Sequence, residues 1–459
     1  MEFGFPELAA IRLGFGLSPH MQPPADVDAI LAGLATAAPD GDAVSLDEAR
    51  ASALSLADLG KAARDGGDAE REKLNQLSRD LRDFNTIALQ QRIARAIDDP
   101  SGFGERLVQF WADHFTIRAA AAGQHKLAVA FVDDAIRPHI GGRFEDLFVA
   151  ADLHPMMLLY LDQTSSVGPN SRFGKARASQ GRLAGLNENL AREAMELHSL
   201  GVGAGYSQDD VRELAELLTG ISYNPKVGVE FLPNRAEPGA ETILGTSYGG
   251  KRQPSADDIR AAFTDLARRP ETAAFVSRKL AVHFTSDTPD EGLVTAMTAR
   301  WRETRGDLAE VYRVMITHPA LVDSFRDKAR QPFDFMVASL RALGVTGEVL
   351  RGWDIRTANR VLMQPLGMMG QRWGAPLGPN GWPEEASAWI TPQALSARIN
   401  WILDIQKRVL GDDLPDPREL MLTAFGGTQS EKLAWAVPKA ESAREGIALI
   451  LASNDFNRR

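Results

Sequence analysis

Residues 186–220 read LNENLAREAMELHSLGVGAGYSQDDVRELAELLTG. On a wheel of about 100° per residue, Leu190, Ala191, Ala194, Met195 and Leu197 share one face, and Asn187 and His198 fall near its middle, where burial is expected. Gly201 stands where a helix usually ends in a left-handed residue. Ser207 then offers an N-cap oxygen and Asp210 stands at N3, an acidic form of the capping box that opens a second helix. The stretch therefore reads as helix, glycine break, helix.

The same period of 3.6 recurs along nearly the whole chain. It predicts a long charged helix over 68–98, stopped by Asp99-Pro100-Ser101, and helices over 105–118, near 124–137 and over 143–162, the last broken by Pro155, which lacks a backbone donor. Strand-like alternation is confined to the region after Gly220, where VGVEF (227–231) and ETILG (241–245) read as the two strands of one β-hairpin. The 163–185 segment has four basic residues among Ser and Gly and no apolar period, and is expected to be a mobile surface loop. Between Trp353 and Trp401 lie five of the eight Trp, and MGQRWGAPLGPNGWPEEASAW is too rich in Gly and Pro for a helix, so an ordered loop or lid is expected. The predicted fold class is mainly α, a large multi-helix single body over 1–459 with a small β-hairpin insertion near 221–250. Its subregions are 1–100, the motif-bearing helices of 101–220, the hairpin, the helices of 251–345, and the Trp-rich loop and final helices of 346–459.

Composition narrows the function. The 459 residues are 44% hydrophobic and 24% charged, an ordinary balance for a packed globular chain. A net charge of −10 with no long basic run argues against nucleic acid or anionic membrane as partner. No apolar run approaches the roughly 18–20 residues of a membrane span. The N-terminal residues lack the basic n-region and apolar h-region of a secretion signal, which reads as cytoplasmic; a mature form of an exported protein would instead place the chain in the periplasm or envelope. With no Cys, thiolate nucleophiles, disulfides and cysteine metal sites are excluded. Phosphate-loop, nucleophile-elbow and zinc-helix motifs are absent as well, so the sequence specifies no cofactor.

What chemistry there is gathers in the quoted helix. Glu188, Arg192 and Glu196 form an i, i+4, i+8 ladder of alternating sign, which a solvated ion-pair row explains fully. Asn189, Glu193 and Glu196 make a second stripe able to present two carboxylates to a neighbour. His114 lies on the face of Leu107, Phe110 and Trp111, and His283 on another apolar helix; a lone His so placed is more often a core residue than a ligand, whereas several that meet suit a transition metal. The tripeptide His-Phe-Thr occurs twice, at 114–116 and 283–285. The candidate catalytic residues are thus Glu193, Glu196, Arg192 and His198, and the candidate metal ligands His114, His198 and Glu193. They are set in a cleft between the 186–200 helix, the 105–118 helix and the Trp-rich loop. The other reading is a non-catalytic binding or assembly protein whose polar residues form a satisfied buried network.

Several blocks carry a family resemblance. Asn187-Glu188-Asn189-Leu190-Ala191-Arg192-Glu193, Glu196-Leu197-His198, Gly205-Tyr206-Ser207-Gln208 and Leu218-Thr219-Gly220 resemble the bacterial family catalogued as domain of unknown function 1800. So do Arg12-Leu13-Gly14-Phe15-Gly16, Phe110-Trp111 with His114-Phe115, His154-Pro155-Met156-Met157-Leu158, His318-Pro319-Ala320 and Gly381-Trp382-Pro383. The resemblance implies one architecture over most of the chain and no established reaction. It also implies export in many members and a partner from a sulfatase-like family. Where many members carry a His-Asp pair, this chain reads Asn234-Arg235-Ala236-Glu237, so a metal role resting on that pair is not expected here.

Overall fold

The computed structural model describes residues 4–182, 185–250 and 254–459. Residues 183–184 of the 163–185 segment, and 251–253 at the start of the 251–345 subregion, lie outside the described residues. The chain is mainly helical, with two small antiparallel sheets. None of the described helices is long and apolar enough to cross a membrane.

The long helix runs Asp68–Asp98 and stops where Asp99, ahead of Pro100, turns to an extended conformation. Its first half is exposed and its second half, from Leu81 to Ile97, supplies buried side chains. The helix after it spans Phe103–His114 and buries nine of its twelve residues. Near 124–137 the chain is helical but not uniformly so: His125–Ala130 is α, Phe131–Ile136 widens into a π turn, and Arg137–His139 closes as a 3-10 turn. Pro155 divides the next stretch into Phe144–Asp152 and Pro155–Tyr160.

Two expectations are corrected. The 163–185 segment is not a structureless loop: Ser171 caps a helix over Arg172–Ala178, and Gln163, Ser166 and Ser171 are buried. Nor do VGVEF and ETILG pair with each other. β1 (Ile221–Asn224) pairs with β2 (Gly228–Phe231), and β3 (Ala240–Ile243) with β4 (Thr246–Gly249), giving two hairpins. Each strand turns back on its nearest neighbour in sequence, because a short connection closes at lower entropic cost than the long one through residues 232–239.

Buried apolar side chains fall into two cores. One is built on the Phe103–His114, Asn189–Glu196, Gln208–Leu217 and Pro270–Phe284 helices and those packed on them. The other holds Phe15, the end of the long helix, the wholly buried Pro332–Ala342 helix, and the helices from Pro392 onward. Charge fills the seam between them. Asp334 of the second core pairs with Arg459 and lies 3.6 Å from Arg106 of the first. Arg341 donates to the carbonyls of Gly16, Ile97 and Asp99 at 3.2, 2.8 and 2.8 Å. Guanidinium suits this work, since its planar fork satisfies several carbonyls and carboxylates at once.

Candidate functional site

A cavity lined by ionisable groups lies beside this seam. It has a volume of about 430 Å³ and is walled by the end of the Phe103–His114 helix, the Pro270–Phe284 helix and the 377–385 part of the Trp-rich loop. Asp113, His114, Lys279 and Glu384 line it. The expected Trp-rich loop is therefore ordered and forms a wall.

That loop is held by charge. Lys328, with no exposed surface, donates to Asp287 at 2.7 Å, to the Glu384 carbonyl at 2.7 Å, and lies 2.9 Å from the Glu384 carboxylate. The other Asp287 oxygen accepts from the Ala386 amide at 2.8 Å. Trp389, buried, donates its indole N–H to the Pro383 carbonyl at 2.8 Å. The Trp382 amide in turn donates to both carboxylate oxygens of Asp113, at 3.0 and 3.1 Å. This contact requires Gly381, whose φ of +77° suits glycine and whose position allows no Cβ: one would stand 2.8 Å from Asp113. Gly381→Ala is expected to unseat the loop from Asp113 at a cost of about 1–3 kcal/mol. Limited proteolysis would read this out as faster cleavage between 370 and 385, and wild-type resistance there would refute it.

Two of the carboxyls lining the cavity, Asp113 and Glu384, are driven in opposite directions. Burial raises Asp113 to about 7, the Trp382 amide opposing and the charge of Glu384 adding to the rise. Burial acts upward on Glu384 too, but His283 and Lys328 outweigh it and hold it well below the usual carboxylate range. Burial lowers the Lys279 ammonium, against the pull of Asp113 and Glu384. His283 lies behind Glu384: its Nε2 accepts from Arg106 at 2.9 Å, so Nδ1 carries the proton and donates to Glu384 at 2.6 Å. Burial lowers that imidazole to about 4, so it stays neutral. One carboxyl is thus able to exchange a proton near neutral pH while its neighbour remains an anion.

Of the candidate catalytic residues and metal ligands named from the sequence, His114 alone lines this cavity. Its Nε2 donates to the His198 carbonyl at 3.1 Å, and its Nδ1 is buried without a hydrogen-bond partner among the described residues. Burial keeps its pKa well below that of free imidazole. His198 is buried one layer behind, its Nδ1 2.9 and 3.1 Å from the two oxygens of Asp152. It holds a carboxylate. The two imidazole centroids are 6.1 Å apart.

Arg192, Glu193 and Glu196 are elsewhere. Arg192 bridges Glu188 at 3.1 Å and Glu196 at 3.2 Å, the ladder expected of a partly solvated helix face. Glu193 is half-buried, raised by that partial burial, and makes no hydrogen bond or ion pair to a described residue, so the stripe it shares with Asn189 and Glu196 does not bond it to a described neighbour. The helix itself begins at Asn189, so Asn187 is not on its apolar face; half-buried, it donates to the Leu161 and Asp162 carbonyls and accepts from the Asn189 amide. The Ser207–Asp210 capping box forms as expected.

Among the described residues, the His, Asp or Glu set whose ligand atoms lie within 4.8 Å of one another is Glu213, Glu216 and Glu241, on elements that do not wall the cavity. All three already have partners: Glu213 accepts from the Thr242 amide and shares a hydrogen bond with Glu241, and Glu216 pairs with Arg212.

Asp113, Lys279 and Glu384 were not singled out from the sequence. Two signs pointed toward them. Asp113 precedes a His already noted, and both His-Phe-Thr tripeptides sit at the ends of helices that wall the cavity, with the Phe110 ring 5.2 Å from His283.

A family model for proteins of unknown function, DUF1800, matches residues 9–458. No curated protein and no solved structure matches the chain. With a family model covering all but a few residues at either end, the chain belongs to the DUF1800 family of proteins of unknown function.

Proposed function

We propose that the chain is an enzyme that works by general acid–base catalysis on a small organic molecule, with its centre at Asp113, Lys279 and Glu384. The observation that carries this reading is the convergence of the Asp113 and Glu384 carboxyls and the Lys279 ammonium from three separate elements on one cavity. Their surroundings support distinct roles. Asp113, held by the Trp382 amide and raised to about 7, takes up and returns a proton near neutral pH. Glu384, fixed as an anion by His283 and Lys328, stabilises positive charge that develops on the substrate. Lys279, with its ammonium weakened by burial, polarises an oxygen or donates the second proton. His114 is a wall of the cavity, and His198 with Asp152 are positioning residues that set its ring.

A binding or assembly protein with a satisfied network would have its acids and imidazoles paired and no open space beside them. The open cavity and the unpartnered His114 Nδ1 favour the enzyme.

The test is turnover. Purified protein is incubated with a small-molecule extract, and consumption is followed by mass spectrometry for wild type, Asp113→Asn and Lys279→Met. We expect species consumed by the wild type and spared by both variants, with losses of about 100-fold or more, the usual contribution of a positioned acid or base. No consumption by the wild type, or equal consumption by all three, would overturn the reading.

A further inference from the structure

Asp113 and Trp382 also stand in the wall of a second cavity, of about 160 Å³, on the other side of the loop contact. It lies among the long Asp68–Asp98 helix, the Phe103–His114 helix, the Phe131–Ile136 π turn and the loop near Trp373. Its lining is largely apolar, from Ala88, Ile117, Val129, Phe131, Val132 and Leu366, with the ring of Trp373 stacked on Phe333 at 6.1 Å. A π turn in the wall is a local distortion of the kind that often accompanies a binding site.

The charges around this chamber do not balance one another. Arg137 is committed to Glu105 through two bonds of 2.5 and 3.1 Å, and to Asp133 at 3.0 Å. Arg95 is committed to Asp40, and Asp42 lies 3.7 Å from Arg351. Arg92 is different. It is only 8% exposed, yet its guanidinium makes no hydrogen bond to a described residue; its nearest acid is Glu105, 3.7 Å away and already held by Arg137. Burial, with Arg137 nearby, lowers it to about 9, which leaves it a cation at neutral pH. Exposed Arg372 at the mouth has no ion-pair partner among the described residues. Arg92 thus presents a nearly buried guanidinium that is not sealed from the chamber and is held by one long ion pair, so its donors are open to an acceptor that enters.

We infer that this chamber binds a small organic monoanion, its carboxylate received by the Arg92 fork and its flat apolar body lying against Trp373 and Trp382. A carboxylate matches the planar fork through two parallel bonds. A single charge is favoured over a dianion such as phosphate, because Asp113 and Asp133 face the same space. Where the acid–base reading above holds, this acid is the substrate class, with its reacting end passing Trp382 toward Asp113; that clause rests on the earlier reading, whereas the binding does not.

The test compares phenylacetate with its neutral counterpart phenylacetamide by titration calorimetry on the full chain. Wild type is expected to bind the acid at least about tenfold more tightly than the amide, the worth of a charge-assisted pair. Arg92→Met is expected to erase that preference. Arg372→Gln, at an exposed position without an ion-pair partner among the described residues, is expected to reduce it several-fold. Asp113→Asn should bind the acid at least as well as wild type, since it removes a facing anion while disabling turnover. Equal binding of acid and amide, no binding of either, or a preference that survives Arg92→Met would overturn the inference. Loss of turnover in Asp113→Asn without any acid preference in the wild type would remove the chamber's role and leave the catalytic reading standing.

Discussion

Asp334→Ala is expected to lower the unfolding free energy by about 3–5 kcal/mol, the usual cost of leaving a buried opposite charge without its partner. That is a large share of the roughly 5–15 kcal/mol that holds a folded protein together. The reason is placement. Asp334 is 2% exposed, and the two guanidiniums it faces, Arg106 and Arg459, have no exposed surface at all. Arg106 belongs to the helix that anchors the first core and also donates to the Gly14 carbonyl and to His283, so its loss of a counter-ion is felt on both sides of the seam. Burial acts to raise the Asp334 carboxyl, but Arg106 and Arg459 outweigh it and hold the group below its ordinary value. A depressed carboxyl contributes stability that is present above its unfolded pKa, near 3.9, and is lost as pH falls through the folded value. Wild type should therefore lose stability steeply in acid, below about pH 4, and the variant should lack that part of the slope. Denaturant unfolding at pH 7 and pH 3.5 measures both. A loss smaller than about 1 kcal/mol at pH 7 would mean that the seam is held by apolar packing and that the ionic layer is incidental.

How much of this was legible in the sequence depends on the distance over which each feature is decided. The Ser207–Asp210 box and the Glu188–Arg192–Glu196 ladder are settled within one or two helical turns, and the structure reproduces both. The stop at Asp99-Pro100 is equally local. The hairpins show the first failure. Alternation marked β2 and β3, but each pairs with a strand of the same four-residue length, Ile221–Asn224 or Thr246–Gly249, in which two of four positions are Ser, Asn or Gly, a composition that reads as turn. The helix over Arg172–Ala178 escaped for a related reason: it is seven residues long and stands on one cap and a few buried polar groups, with no apolar stripe. The site is the longest-range feature. Asp113, Lys279 and Glu384 are separated by more than a hundred residues at each step, and no periodicity within any one helix says that their ends meet. Arg192, Glu193 and Glu196 stand out in the sequence because their polar density is local. A dense charged helix face can be explained by its own neighbours; an Asp or Lys at the end of an apolar helix cannot, and that contrast is the better guide.

The same contrast yields the second large effect, in the opposite direction. Asp113→Asn is expected to make the protein more stable at pH 8, by on the order of 2 kcal/mol, and to leave it unchanged at pH 4. A carboxyl raised to about 7 in the folded state, from near 3.9 unfolded, binds its proton more tightly when folded. Folding is then unpenalised below the unfolded value and loses stability as pH rises through that window, with the full penalty present above about 7. Asparagine carries no charge at any pH, so the difference between variant and wild type should open across the same window and then stay flat. Its amide oxygen still accepts from the Trp382 amide, so the loop contact survives the change. Part of the gain is returned, because Lys279 loses one of the two anions that favour its charged form. That is why the expected figure is smaller than the full shift implies. Catalytic groups are often kept at such a cost to stability. A variant that is less stable than wild type at pH 8, or a difference that does not change between pH 4 and 8, would mean that Asp113 is held as a partnered anion, and the acid–base centre proposed here would lose its proton carrier.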